Sequence, residues 1–322
     1  MRCIRVCRFG GPEVLQLHTD VPIPTPKDNQ VVVQVKVAGV NPVDTYIRSG
    51  TYARKPTLPY TPGGDGSGVV HAVGAKVTRF HAGQRVWFGM SLSGSYAEYC
   101  LCDENRVGML PDDVSFEHGA MLAVPYCTAY RALVQKAGVR AGETVLVHGA
   151  TGGVGTAAVQ MCKVLGVDVI ATAGSPIGEQ LLKDMGVARV YNHRTDGYVA
   201  AIKRDNPQID VILEMLANVN LEKDLEMIGQ NGRVVVIGSR GSVTINPRLT
   251  MGKESSVIGC ALGSTTPEEC GAQMKFIEAN LHNGALLPVL AKMFQLGDAS
   301  EAHREIIDKV VTKGQIVLRI GS

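Results

Sequence analysis

The sequence predicts an α/β protein in which a β-rich first domain is joined to a doubly wound parallel sheet. Three observations carry this reading. Glu143 to Gly155, ETVLVHGATGGVG, is an apolar run that meets a glycine-rich turn and continues as a helical pattern. From about Glu117 onward, runs of strand length alternate with amphipathic helical stretches, as βαβ units on a parallel sheet do. Before that point the apolar runs are short and β-branched, with Gly and Pro between them.

Within residues 1–118, Gln30 to Ala38 (QVVVQVKVA), Gly66 to Val73 (GSGVVHAV), Gln84 to Phe88 and Ser95 to Leu101 read as strands. Pro22, Pro24 and Pro26 hold an extended connector. An antiparallel sheet or partly closed barrel is predicted here.

The second domain opens on the strand Thr144 to Val147, almost wholly apolar as a strand covered on both faces must be. Gly149, Gly152, Gly153 and Gly155 then remove side chains where the chain turns sharply and where a pyrophosphate approaches backbone N–H groups. From Gly153 the chain reads as a helix, with Val154, Ala157, Ala158, Met161 and Leu165 on one apolar face and Gly166 as its stop. The partial positive charge at the helix start points at the phosphates. Strand, turn and helix together predict a dinucleotide site.

The next strand, Val167 to Ala173, decides which dinucleotide. NAD-selective sites place Asp or Glu roughly 20 residues after the turn to accept from the ribose hydroxyls. Here Gly174 and Ser175 follow instead. A 2′-phosphate is accepted where no carboxylate repels it, so NADPH is predicted, with His193 and Arg194 as candidate positive partners.

Further strands are predicted at Arg189 to Asn192, Ile209 to Glu214, Arg233 to Ile237 and Ser256 to Cys260, with helices at Gly178 to Met185, Gly197 to Arg204 and Leu221 to Gly229 between them. Six strands result. After residue 262 the chain offers helices at Pro267 to Asn280 and Asp298 to Asp308 and a last strand at Gln315 to Ile320.

A net charge of only +2 over 322 residues gives no general footprint for nucleic acid or an anionic membrane. The segment MRCIRVCRFGG is interrupted by arginines and lacks the apolar core of a signal peptide, and no run approaches the roughly 18 apolar residues of a spanning helix, so a cytoplasmic protein is expected. The eight cysteines, Cys3, Cys7, Cys100, Cys102, Cys127, Cys162, Cys260 and Cys270, show neither a disulfide framework nor paired zinc spacing. No metal is expected.

Six phrases in order, FGGPEVLQL (Phe9 to Leu17), GVNPVDTYIRSGTY (Gly39 to Tyr52), LPYTPGGDGSGVV (Leu58 to Val70), VLVHGATGGVG (Val145 to Gly155), EMLANVNL (Glu214 to Leu221) and VIGSRGSVTINPR (Val236 to Arg248), resemble the zeta-crystallin branch of the quinone oxidoreductases, within the medium-chain dehydrogenase/reductase superfamily. The ending AHREIIDKVVTKGQIVL is of the same type. The resemblance implies a GroES-like catalytic domain from residues 1–118 and 263–322, a Rossmann NADP-binding domain from residues 119–262, and a cofactor cleft at their junction. It places Thr151, Gly152, Gly153 and Val154 on the pyrophosphate, and Gly174, Ser175 and His193 near the adenosine phosphate. Asn218, Asn220, Ile237, Gly238, Ser239 and Arg240 then lie along the ribose and nicotinamide. Tyr46 and Asn41 face the nicotinamide and substrate as the catalytic candidates. By their own character Tyr46 is a packing tyrosine and Asn41, before Pro42, a turn residue; the surrounding phrase reverses that reading.

Zinc-dependent relatives place Cys and a His-Glu pair where this chain has Asn41 and Gly64-Asp65, and carry a four-cysteine lobe absent here. Alcohol oxidation needs a Lewis acid to acidify the hydroxyl at neutral pH, whereas a quinone is already a strong electron acceptor. The resemblance therefore implies NADPH-dependent reduction of quinones, ortho-quinones preferred, with semiquinone products. The alternatives are an NADPH-dependent enone or enal double-bond reductase, and a cofactor-bound crystallin or AU-rich RNA-binding protein. The resemblance also implies a homo-oligomer, tetramer or dimer, for which the edge strand Ser256 to Cys260 is the candidate contact.

Overall fold

The computed structural model describes residues 1–307 and 313–321. Asp308, the last residue of the helix expected after Asp298, and residues 308–312 of the family-like ending lie outside the described residues. The chain divides into two compact units, Met1–Val124 with Cys270–Ser322, and Pro125–Glu269.

The first unit begins with a small antiparallel pair, β1 (Cys3–Arg5) and β2 (Gln16–His18). The 11-residue strand β3 (Gln30–Val40) is the spine of its larger sheet. Helix α1 (Pro42–Ser49) leaves its end, and β4 (Gly66–Val73), β5 (Arg85–Phe88), β6 (Tyr99–Asp103), β7 (Val107–Met109) and the short helix α2 (Phe116–Ala120) complete the segment. Antiparallel pairing joins β3 to β4 along one edge, while residues 30–34 of β3 pair with β6 along the other. Val31, Val33, Val35, Val86, Phe88 and Tyr96 fill the core against this sheet. The strand expected at Ser95 to Leu101 is displaced toward the C-terminus. Residues 95–97 are instead bound to β1, through Ile4 N to Tyr96 O and the bridge between Cys3 and Ala97, so pairing with β3 begins only at Tyr99.

In the second unit, α3 (Ala123–Tyr130) leads into a parallel sheet of β8 (Thr144–Val147), β9 (Asp168–Ala173), β10 (Arg189–Asn192), β11 (Val211–Glu214), β12 (Arg233–Val236) and β13 (Ser256–Gly259). Helices α4 (Gly153–Val164), α5 (Pro176–Asp184), α6 (Tyr198–Asp205), α7 (Ala217–Met227) and α8 (Arg248–Met251) connect them. The strand order β10-β9-β8-β11-β12-β13 is the doubly wound arrangement the alternation predicts. Its reversal point lies between β8 and β11, where such sheets open a crevice at the carboxyl ends of the strands. Helix α7 begins a turn before the expected Leu221, because polar Asn218 and Asn220 interrupt the apolar periodicity without interrupting the helix.

The chain returns to the first unit with α9 (Pro267–His282), β14 (Leu290–Gln295), α10 (Ala299–Ile307) and β15 (Gln315–Arg319). β15 pairs antiparallel with residues 37–40 of β3, and β14 adds to β15 in parallel. The sheet order is β14-β15-β3-β4-β5-β7, with β6 on β3. The parallel-sheet domain and a β-rich domain built from both chain segments are therefore both present. Among the described residues no helix is long and apolar enough to cross a membrane.

Candidate functional site

The glycine turn leaves β8 at its carboxyl end. His148 N donates to Leu213 O of β11, and Gly149, at φ +55°, bends the chain away. Only glycine adopts that backbone without a Cβ penalty. Gly152 N closes the turn onto Gly149 O at 3.1 Å. Gly155 packs the helix onto the turn, since a Cβ there would meet Gly149 O and stand 2.5 Å from Ala150 Cα. Gly152 caps α4 with extended backbone, and no side chain caps that helix. A Cβ on Gly152 would meet nothing closer than Gly149 O at 3.5 Å, so the approach to the helix start is open. Thr151, Gly152, Gly153 and Val154 are all half-buried on this approach. An uncapped start of a 12-residue helix behind an open glycine turn suits a pyrophosphate.

At the end of β9, Gly174 lies against the residues expected to share its phosphate. A Cβ on it would stand 2.8 Å from His193 Cε1 and 3.5 Å from Arg194 Nε. Ser175 caps α5, its Oγ accepting from Gly178 N at 3.1 Å, and its hydroxyl hydrogen remains a donor. His193, joined to β9 by its N–H to Ala173 O, has its pKa lowered by desolvation and by the neighbouring charges of Arg194 and His148. Gly174, Ser175, His193 and Arg194 thus form one group at the strand end; the Glu179 carboxylate in the first turn of α5 is held beside it by Asn192 Nδ2 at 2.8 Å.

The third set comes together around the end of β11. Ala217 N donates to Gly238 O at 2.9 Å, and Gly238 packs on the backbone of Met215. Ile237 N donates to Glu214 O, also at 2.9 Å. Asn218 Oδ1 accepts from Arg240 N at 2.9 Å, and Ser239 Oγ donates to Gly241 O. Asn220 Nδ2 donates to Glu214 Oε1 at 3.3 Å. The first turn of α7 and residues 237–240 are therefore one structural group.

Beneath the turn lies a cluster that pattern reasoning missed. His148, Glu214 and Asp224 are 3%, 0% and 0% exposed. Their donor atoms lie within 4.8 Å of one another. His148 Nε2 is 2.9 Å from Asp224 Oδ1, and its Nδ1 is 3.3 Å from Thr172 Oγ1. Burial raises both carboxyls and lowers the imidazole. The available signal was a His and a Glu at the ends of two apolar strands, where apolar residues are the rule.

In the first unit, Asn41 caps α1 and is buried. Its Nδ2 donates to Asp65 Oδ1 at 2.8 Å and its Oδ1 accepts from Gln315 Nε2 at 3.1 Å. Asp44 Oδ2 accepts from Asn41 N at 2.9 Å. Asp65 Oδ2 accepts from Val124 N at 3.0 Å. Asn41 and Asp65 are thus an amide and a carboxyl hydrogen-bonded to each other, and burial pushes the Asp65 carboxyl up to about 8. Tyr46, half-buried, sits one turn into α1. On the far side of that helix Arg48 Nη1 lies 3.2 Å from His303 Nδ1, and the Tyr96 hydroxyl oxygen lies 3.0 Å from His303 Nε2. Arginine can only donate, so Nδ1 accepts and Nε2 carries the hydrogen toward Tyr96.

Comparison with known proteins agrees with this geometry. The alcohol dehydrogenase GroES-like domain matches residues 27–112, and the zinc-binding dehydrogenase domain matches residues 153–279. The quinone oxidoreductase of Homo sapiens is 49% identical over 320 residues, covering 99% of this chain and 97% of that protein. That of Pseudomonas aeruginosa is 33% identical over 322 residues, covering 98% of each. Among solved structures, Escherichia coli quinone oxidoreductase complexed with NADPH superposes with a TM-score of 0.90 at 30% identity, covering 99% of this chain and 100% of that one. An NAD-dependent alcohol dehydrogenase reaches a TM-score of 0.91 at 29% identity, covering 100% of both, so the shared architecture alone does not select an acceptor.

Proposed function

The chain belongs to the quinone oxidoreductases of the medium-chain dehydrogenase/reductase superfamily, and from that premise we propose that it reduces quinones, ortho-quinones foremost, with NADPH. One observation carries the cofactor reading: an uncapped helix start behind an open glycine turn, with no carboxylate at the end of the next strand. NADPH, when bound, supplies a hydride to the acceptor. Residues Thr151 to Val154 hold the pyrophosphate by backbone N–H groups. Gly174 leaves room for the 2′-phosphate, Ser175 donates its hydroxyl, Arg194 provides positive charge, and His193, its imidazole held toward the neutral form, offers a ring N–H as donor. Asn218, Asn220 and residues 237–240 set the ribose and nicotinamide.

In the first unit, Tyr46 hydrogen-bonds an acceptor oxygen and so steadies the charge that develops there as the quinone is reduced. Asn41, its amide held between Asp65 and Gln315, fixes the start of the helix that carries Tyr46. The chemistry asks mainly for positioning and exclusion of water.

We further propose a cytoplasmic homo-oligomer. Support for self-association is that β13 is an edge strand of its sheet and leaves Val257 exposed.

The test is NADPH oxidation with 9,10-phenanthrenequinone, with NADH and a conjugated enal in parallel. Quinone turnover that prefers NADPH is the expected result; enal turnover without quinone turnover overturns the acceptor assignment. Tyr46→Phe is expected to lower quinone turnover by about 100-fold, as loss of one donor at a developing charge does, while leaving NADPH affinity near native. Equal losses in both would remove Tyr46 from that role.

A further inference from the structure

We propose that Glu214 and Asp224 hold one proton between them and, with His148, act as positioning residues that fix the glycine turn and the first turn of α7 in a single frame for the cofactor. This rests on the reading of residues 149–155 and of Asn218 and Asn220 as cofactor-binding.

The hydrogen-bond directions follow from the donors. At the turn, Gly149 N–H donates to Thr172 Oγ1 at 3.2 Å. The Thr172 hydroxyl keeps its own hydrogen after accepting there, and His148 Nδ1, 3.3 Å away, is placed to accept it. That leaves the hydrogen of the neutral imidazole on Nε2, from which it donates to Asp224 Oδ1 at 2.9 Å. At the other end, Glu214 Oε1 accepts from Leu216 N, immediately before α7, and from Asn220 Nδ2. Together these links run from Gly149 to Asn220.

One oxygen of each acid is left over. Glu214 Oε2 and Asp224 Oδ2 are buried and have no hydrogen-bond partner. Two ionised carboxylates this close in a dry interior repel strongly, and buried oxygens without donors are costly. The two side chains lie within hydrogen-bonding reach of each other, so a single proton held between them supplies a donor where two carboxylates could only accept, and removes one charge. The other titratable groups whose charges reach the cluster are Lys223 on α7, Tyr198 on α6 and His193 after β10. None of them donates to either leftover oxygen. A metal held by the same three residues would instead need Nε2 to lose its hydrogen, which the Thr172 link opposes.

The test uses amide substitutions that copy a shared proton. In Asp224→Asn, Oδ1 still accepts from His148 and Nδ2 donates to Glu214; in Glu214→Gln, Oε1 still accepts from Leu216 and Nε2 donates to Asp224. The double variant sets two amide donors against each other. Each single variant is expected to bind NADPH within about threefold of the native protein, and the double variant about tenfold or more weakly, with a smaller fall in kcat at saturating NADPH. Native NADPH affinity should decline as rising pH removes the shared proton, and either single variant should flatten that slope. Single variants as impaired as the double, an unaltered pH slope, or one equivalent of metal in the purified protein that Asp224→Asn releases would each overturn the proposal. If the double variant does not fold, the pH slopes of the single variants decide. Gly153→Asp separates the two readings. Should it leave NADPH affinity intact, the turn itself is misread; should it abolish affinity while the double variant binds as the native protein does, only the network's role fails.

Discussion

Gly174→Asp tests cofactor selection at the point where the strand end meets the basic pair. The new Cβ would stand 2.8 Å and 2.9 Å from Cε1 and Nε2 of His193. His193 is exposed, so its ring can swing away at small cost. Arg194 Nε lies 3.5 Å from the same Cβ, within reach of the new carboxylate. Arg194 would therefore pair with the introduced carboxylate instead of the 2′-phosphate. A charge-assisted hydrogen bond is worth about 1.5–3 kcal/mol, so its loss alone weakens NADPH by about 10- to 150-fold, and repulsion between carboxylate and phosphate adds to that. NADH gains an acceptor for its ribose hydroxyls. The ratio of kcat/KM for NADPH over NADH, measured with 9,10-phenanthrenequinone, should fall by about 100-fold. A ratio within about threefold of native would refute the placement of the 2′-phosphate beside Gly174.

Two further outcomes are expected from packing and charge. Gly155→Ala forces a methyl against Gly149 O and Ala150 Cα, both backbone atoms that cannot step aside; overpacking of about 1–3 kcal/mol should lower Tm by several degrees, whereas Gly152→Ala, with its open Cβ position, should leave Tm within about 2 °C. Equal Tm losses would contradict the close approach of α4 to the turn. Burial, with the charge of Arg48, pushes His303 down to about 3. An imidazole kept neutral in the fold contributes stability that is fully present above the ordinary histidine range and is lost as pH falls from about 6.5 toward 3. The stability advantage of the native protein over His303→Gln should therefore shrink by about 1.4 kcal/mol per pH unit in that window. Parallel stability curves from chemical denaturation would contradict the assignment of Nε2–H toward Tyr96.

The parallel sheet was legible because its strands are short apolar runs, and consecutive strands are neighbours in the sheet except where the chain crosses from β10 to β11. Val211 to Glu214 and Arg233 to Val236 needed no tertiary knowledge to recognise. β6 was misplaced because the extended residues before it satisfy their backbone on β1, a choice that depends on a segment more than ninety residues upstream. β14 was not anticipated, since Leu290 to Gln295 carries a lysine and a glutamine on a partly exposed edge and acquires its pairing only from β15. Among the site residues, the glycine turn announced itself through spacing, while the clustering of Asn218 with Arg240 could be suspected only from family resemblance. The His148, Glu214 and Asp224 cluster was hidden for a different reason. Its members are separated by 66 and 10 positions, and only the adjacency of β8 and β11 brings them together.

The amide of Asn41 bears on how such a protein changes over time. Its nitrogen is committed to Asp65 and its oxygen to Gln315, a residue 274 positions away. Replacing Asn41 by cysteine would leave Asp65 Oδ1 and the Gln315 amide without the partner they share, at about 1–3 kcal/mol for each, while Asp65 Oδ2 keeps Val124 N. A single substitution at that position therefore destabilises the end of the sheet to which Gln315 belongs. Positions 41, 65 and 315 are thus constrained together, and a change at one is tolerated best when the other two change with it.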